Sequence, residues 1–407
     1  MKKGTIVILG ILDKRSEEVD FFRKCIEDND HEVIVMDIGR EREAGTPAEI
    51  TRQEVAKSAG TTIDKVRALP RDEGQRVMRK GAISIVRRLC QEKKPIGFTC
   101  LGGTTTGLMA SMVMRGAPFG VPKLILSSAS GVKVAQRWWG TMDITIMQSP
   151  AHLVGLNSYV KSIIVRAAAA ICKMVEDSQA VDVTLKKAKP LVAITLNGNV
   201  ERCVEVIRKE LPKLGYEDVV FHAQGVGDSA MDKLIEEGRF DAVIDMVPKR
   251  VSEQMFGGRT GAPKEEVVFE SAGKMGIPQV IAPGAINMIG APEENPQFKD
   301  RKKFWMDEAR PLSRVNKEES YRIGEVMAEK LNKAKGPVKF LVPLKGWSSA
   351  DPPGSDLNEP ETDRAFVDAL KKNLKPEIEV REIDAWLEEP KFALAVVDAF
   401  KEIMKKK

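Results

Sequence analysis

PIGFTCLGGTTTGLMASMVMR, residues 95–115, holds a whole strand–turn–helix unit. Residues 96–101 form an apolar run that predicts a buried strand, and residues 108–114 predict a buried helix face. Between them lie Gly102, Gly103, Thr104, Thr105, Thr106 and Gly107. Glycines permit a sharp turn and a close backbone approach to a ligand, and threonine hydroxyls cap a helix or bind an anion. A helix beginning behind such a turn offers unpaired N–H groups and the positive end of its dipole. No Lys follows as a Walker A loop requires, and the G-x-G-x-x-G spacing is absent. Two readings stand: an anion seat, or a hydroxyl-capped turn that holds nothing.

Outward from this unit the chain repeats the scheme. Residues 5–9 predict a first strand, Ser16 a helix cap, and Val19, Phe22 and Ile26 one buried helix face. Residues 33–36 predict a second strand ending at Asp37, where a turn-forming role outweighs ribose binding because the matching glycine fingerprint is missing. Residues 44–79 are polar, helical by pattern, and have the look of an insertion. VPKLILSS predicts a strand that ends in a second hydroxyl and glycine turn, Ser127, Ser128, Ser130 and Gly131. Residues 143–147 predict a short strand and residues 158–175 a long buried helix.

Charges and Pro190 break the pattern over residues 177–190, and LVAITLNG restarts it. Val200, Cys203, Val204, Ile207 and Leu211 mark the next core-facing helix stripe. TIVILG pairs with LVAITLNG, EVIVMDIG with DVVFHAQG, and VPKLILSSASG with IPQVIAPGAIN. Alternating strands and helices predict parallel sheets covered on both faces. The expected fold is α/β with two doubly wound, Rossmann-like parallel-sheet domains, residues 1–180 and 188–407. Such sheets bind ligands at the carboxyl ends of their strands, near a switch in strand order. Every glycine- or hydroxyl-rich turn above falls at such an end, including the one carrying Gly225 and Gly227.

Composition narrows the function classes. Of 407 residues 43% are apolar and 30% charged, as in soluble globular proteins. The 64 basic and 59 acidic residues are interspersed and aromatics make up 5%, which argues against a nucleic-acid surface. No apolar run reaches the length of a membrane span, and the amino-terminal apolar run lacks a cleavage site, so the expected location is cytoplasmic. The five cysteines form no C-x-x-C pair and read as buried thiols. His31, His152 and His222 share no metal-ligand spacing, so no metal is expected. Asp13 and Arg15, just after the first strand, could stand beside a phosphate or form a solvated cluster. No Ser-His-Asp or Cys-His pairing stands out from spacing.

LGILDKRSEE, FTCLGGTTTG, MRGAPFGVPKLILSSASG, MDITIMQSPAHLVGLN, FHAQGVGDSAM, PQVIAPGAIN and PLKGWSSAD together resemble the motifs of the UPF0261 family, which is similar to the amino-terminal domain of the Tm-1 virus-resistance protein. The resemblance implies an ATP-binding region of two α/β subdomains, a dimer, and a TIM-barrel protein as a fused or separate partner; it implies no defined reaction. The chain departs from the pattern at several polar positions. Thr105 and Thr106 stand where the family has glycines, Asp228 and Ser229 where it has Gly-Arg, and Asn287 where it has Asp. The leading expectation is therefore a nucleotide, ATP or another, or a different phosphorylated anion, held in an interdomain cleft by the GGTTTG and SSASG loops with Asp13 and Arg15. The alternative is a non-catalytic subunit whose rebuilt loops contact a paralogue or a TIM-barrel protein. A third is an enzyme centred on His222 and Asp245.

Overall fold

Thr5–Gly10 (β1) is a run of β-branched and aliphatic residues, and all of it is buried. Its alternate side chains enter opposite layers, as the period of a strand requires. Ile6 and Ile8 join Val19, Phe22 and Ile26 of Ser16–Glu27 (α1), while Val7 and Leu9 join Val55, Val66, Met78 and Val86 on the other face. Those last four belong to Arg52–Ser58 (α2), Ile63–Ala68 (α3) and Arg71–Glu92 (α4). The polar segment that has the look of an insertion is thus the crossover from Glu32–Asp37 (β2) to Ile96–Gly102 (β3), and it covers one side of the sheet. Thr104–Met114 (α5), Lys123–Ser127 (β4), Thr145–Gln148 (β5) and Ser158–Ala180 (α6) follow.

The computed structural model describes residues 3–13, 15–41, 45–129, 141–180, 189–260, 267–290, 295–308 and 310–405. The chain divides into two compact units, Met1–Lys186 and Lys187–Lys407. In the first, the strands lie in the order β2-β1-β3-β4-β5, every pair parallel.

The second unit restarts with Leu191–Leu196 (β6), Glu201–Glu210 (α7), Glu217–His222 (β7), Gly227–Glu236 (α8) and Ala242–Asp245 (β8). Lys249–Phe256 (α9), Ser271–Met275 (α10) and Gln279–Ile281 (β9) come next. Met288–Ile289 (β10), Lys303–Trp305 (β11) and Pro311–Arg314 (β12) form a small antiparallel sheet. Lys317–Leu331 (α11), Val338–Pro343 (β13), Pro360–Asn373 (α12), Glu379–Ile383 (β14) and Pro390–Met404 (α13) complete it. The parallel sheet runs β7-β6-β8-β9-β13-β14. Its first five strands repeat the order of the first unit, and β1, β2 and β4 correspond to β6, β7 and β9, the three pairs matched in the sequence. Val192 and Ile194 pack on Cys203, Val204 and Ile207 of α7 and on Val396 and Phe400 of α13; Ala193 and Val243 pack on Met231 and Ile235 of α8. Both sheets are therefore covered on two faces. Among the described residues no helix is long and apolar enough to cross a membrane.

Candidate functional site at the strand switch of the amino-terminal unit

In a 2-1-3-4-5 sheet the strand order reverses between the first and third strands, and the crevice beyond their carboxyl ends is where such sheets bind ligands. Here a cleft of about 570 Å³ opens at that place, lined by Ile11, Asp13 and Arg15 after β1, Gly39, Arg40 and Glu41 after β2, and Gly103, Thr104, Thr105, Thr106 and Met109 after β3. Arg71 and Gln75 from the start of α4 close one side. That volume lies within the range of about 300–1,000 Å³ usual for small-molecule sites.

The start of α5 is built to face this space. Gly103 is its N-cap residue, no side chain caps the helix, and its first turn carries no acidic residue. Its leading N–H groups are left without the partners that helix geometry denies them. Gly102 has to be glycine: a Cβ there would stand 2.7 Å from the Thr106 Cβ. Thr106 is buried against it, so only Thr104 and Thr105 turn their side chains outward. A Cβ on Gly103 would meet only His152, 3.7 Å away. Gly107 is buried inside the helix and hydrogen-bonds Gly103 through its N–H.

Around the cleft the charges are partly committed. Arg15, not Ser16, occupies the N-cap of α1, and its guanidinium donates to the Leu153 carbonyl. Arg40 donates to Glu41 at 2.7 Å and to the carbonyls of Val66, Leu69 and Pro70 at 3.1, 3.2 and 3.3 Å. Its bond holds the exposed Glu41 carboxyl below the usual range. Asp13 Oδ1 is buried without a hydrogen-bond partner among the described residues. Asp37 takes the turn-forming role: Oδ1 accepts from the Gly39 N–H at 2.9 Å, and Oδ2 pairs with Arg52 at 2.6 Å.

The SSASG loop divides. Ser127 is buried and its Oγ accepts from the Ala129 N–H, whereas Ser128 reaches out to His152, with Oγ 3.1 Å from Nδ1. Ser130 and Gly131 lie outside the described residues. Spacing could not reveal Arg40, Arg71, Gln75 or His152 as neighbours of the seat. His152 does fall within the quoted motif MDITIMQSPAHLVGLN.

Gly225 and Gly227 belong to the second unit and serve its backbone packing. A Cβ on Gly225, which has φ +90°, would approach the Thr260 carbonyl oxygen to 2.8 Å, and one on Gly227 the His222 carbonyl oxygen to 2.5 Å. Asp228 accepts from its neighbour, the Ser229 N–H, and lines a small cavity with Asp232, Asp245 and Arg250. Burial pushes the carboxyls of Asp228 and Asp232 up to about 6 and that of Asp245 up to about 7. His222 and Asp245 are not brought together as partners: β6 lies between their strands, and Asp245 accepts from the Thr195 hydroxyl at 2.6 Å and the Val247 N–H at 3.2 Å. Asn287 donates to Asp351 and Asp363 at 3.0 and 3.1 Å, contacts that an aspartate could not make while ionised. Among the described residues no group of acidic, histidine or cysteine side chains is arranged to hold a metal ion.

Comparison with known proteins agrees along the whole chain. Residues 4–180 match the model described as "Uncharacterised protein family (UPF0261) N-terminal domain", and residues 189–404 match that of its C-terminal domain. A UPF0261 protein of Clostridium tetani is 35% identical over 410 residues, covering 98% of this chain and 99% of that one. The ToMV resistance protein Tm-1(GCR237) of Solanum lycopersicum is 30% identical over 339 residues, covering 81% of this chain and 44% of Tm-1. Among solved structures the chain is similar to a UDP-GlcNAc 2-epimerase from Neisseria meningitidis bound to UDP-GlcNAc, at 10% identity and a TM-score of 0.25 over 69% of this chain and 82% of that one, too distant a superposition to add to the argument. With both of its domain models matched in order and a relative aligned from end to end, the chain belongs to the UPF0261 family.

Proposed function

We propose that the amino-terminal unit binds a phosphorylated ligand, a nucleotide by preference, in the cleft at its strand switch. One observation carries this reading: the start of α5 is uncapped, free of acidic residues, and opens into a cleft of nucleotide size. Helix N-termini favour anions through their unpaired N–H groups and dipole. By contrast α1, which also begins at this end of the sheet, carries Glu17 and Glu18 in its first turn and so compensates its own dipole. Thr104 and Thr105 add exposed hydroxyls, and Arg15 and Arg71 add positive charge. Ile11, Ile38 and Met109 give an apolar wall on which a base could rest.

Titration calorimetry with ATP, UDP and orthophosphate tests this reading. The informative variant is Thr104→Asp, because an acidic residue in the first turn stabilises a helix while repelling an anion at the same place. Binding in the wild type, lost in a variant whose melting temperature is unchanged or higher, is the expected result. Absence of binding by all three ligands at millimolar concentration, or equal affinity in the variant, would sink the proposal.

A further inference from the structure

The carboxyl ends of β3, β4 and β5 bring together three features that lie far apart in the sequence: the start of α5, Ser128 and His152. Each is held by the backbone. The Ser128 N–H donates to the Gly102 carbonyl at 3.3 Å, and the preceding Ser127 side chain fixes the turn through the Ala129 N–H at 3.1 Å. On the other side the Ser149 N–H donates to the Ser127 carbonyl at 2.8 Å, and the Ser149 hydroxyl to the Ala151 carbonyl at 2.6 Å. Leu153, the residue after His152, is fully buried, and Arg15 donates to its carbonyl. The imidazole itself remains exposed, beside Gly103.

From this geometry we propose that Ser128 and His152 form a base-activated serine that transfers acyl groups from esters, using the α5 N-terminus as its oxyanion site. The Oγ–Nδ1 distance of 3.1 Å is within hydrogen-bond reach, the first requirement for a nucleophile and its base. With the ring proton on Nε2, Nδ1 accepts the Ser128 proton as Oγ bonds to the carbonyl carbon and the carbonyl π pair moves onto oxygen. The N–H groups leading α5 are the donors at hand for that oxyanion. Collapse restores the C=O bond and breaks the bond to the alcohol oxygen, which leaves with the proton from His152. Water then repeats the attack on the acyl-serine, releasing the acid and the free serine. The oxyanion donors are the anion seat proposed above, so this step rests on that reading, and a phosphate bound there should compete with the ester.

A fluorophosphonate probe reads this chemistry on the intact protein, with mass spectrometry locating the label and p-nitrophenyl acetate hydrolysis as a second measure. Labelling of Ser128, falling about a hundredfold in His152→Ala and absent in Ser128→Ala, is the expected result. No label on Ser128, or equal labelling in His152→Ala, overturns the dyad. Calorimetry with ADP on the same preparations separates the two proposals. ADP bound with Ser128 unlabelled overturns the dyad and leaves the seat standing; Ser128 labelled with no binding of ADP, ATP, UDP or orthophosphate supports the dyad and removes the seat.

Discussion

After β3 the chain starts a helix with Gly-Thr-Thr-Thr, and after β8, the strand in the same place in the second sheet, it starts one with Pro-Lys-Arg. The first leaves the helix start open beside a cleft of about 570 Å³. The second puts cations at the positive end of a helix dipole, an unfavourable position, and answers them from within. Lys249 pairs with the fully buried Glu253 at 2.8 Å, and Arg250 with Asp232 at 3.2 Å. Glu253 also accepts the N–H groups of Gly290 and Thr260, at 2.7 and 3.1 Å. The two cavities beside α9 measure only about 30 and 50 Å³. One topology thus leaves a helix start open beside a cleft in one unit and fills the corresponding place with the chain's own carboxylates in the other. Two or three residues at the helix start decide which.

The largest expected effect comes from breaking the second arrangement. Lys249→Met strands Glu253 among buried groups, and removing one partner of a buried ion pair costs about 3–5 kcal/mol. Denaturant unfolding followed by Trp347, buried in the second unit, measures it. A loss below about 1 kcal/mol would mean that the pair is solvated and the contrast between the units is wrong.

Acidity sharpens the same contrast. Asp228, Asp232 and Asp245 have carboxyls raised to about 6, 6 and 7 by burial, with Arg250 opposing the shift for the first two. A carboxyl raised in the folded state binds more protons there than in the unfolded chain. Its stabilising protonation is therefore fully present below the unfolded value, near 4, and is lost as the pH rises through 6 to 7. The second unit should accordingly lose a few kcal/mol between pH 5 and pH 7.5, the order set by shifts of this size. Glu32 and Glu49 of the first unit shift the other way, and their contribution is lost only on acidification below the ordinary glutamate range. Thermal unfolding across this pH range, repeated with Asp245→Asn, checks the sign. A second unit equally stable at both values, or a profile unchanged in the variant, would count against it.

Much of the fold was legible because apolar periodicity reports burial directly. Val19, Phe22 and Ile26, and Val200, Cys203, Val204, Ile207 and Leu211, are all essentially buried. What periodicity could not show were β10 to β12, strands of two to four residues that include Pro311, Lys303 and Arg314, and β14, whose EVREI carries three charges on a sheet edge. The seat's glycines and threonines could be read because a turn dictates its residues locally. Its neighbours could not. Ser128 and His152 are joined by strand order across β4 and β5, and Arg40 is fixed by three carbonyls of a segment that begins 26 residues later.

Adjacent glycines provide a smaller and more local test. Gly102→Ala drives a Cβ into Thr106 at 2.7 Å and should cost about 1–3 kcal/mol, the usual range for overpacking. Gly103→Ala meets nothing closer than 3.7 Å, so its melting temperature should hold while anion affinity falls about tenfold, equivalent to about 1.4 kcal/mol. If Gly103→Ala melts as early as Gly102→Ala, the first turn of α5 is packed rather than open.

The smallest expected effect concerns Arg71, exposed at the rim of the cleft on the first residue of α4. Its charge reaches an anion at the α5 start through solvent, where ionic screening acts over about 8 Å at physiological salt. A rim charge of this kind contributes mainly to the rate of encounter and little to the bound state. Arg71→Ala should therefore reduce ATP affinity by no more than about fivefold at physiological salt, since solvent-exposed pairs are worth about 0–1 kcal/mol. The deficit should widen as salt is lowered, because screening weakens with it. Stopped-flow association at two salt concentrations separates this from a direct contact. A slower association rate with dissociation unchanged fits the rim; faster dissociation at both concentrations would place the guanidinium on the ligand itself and make α4 part of the seat.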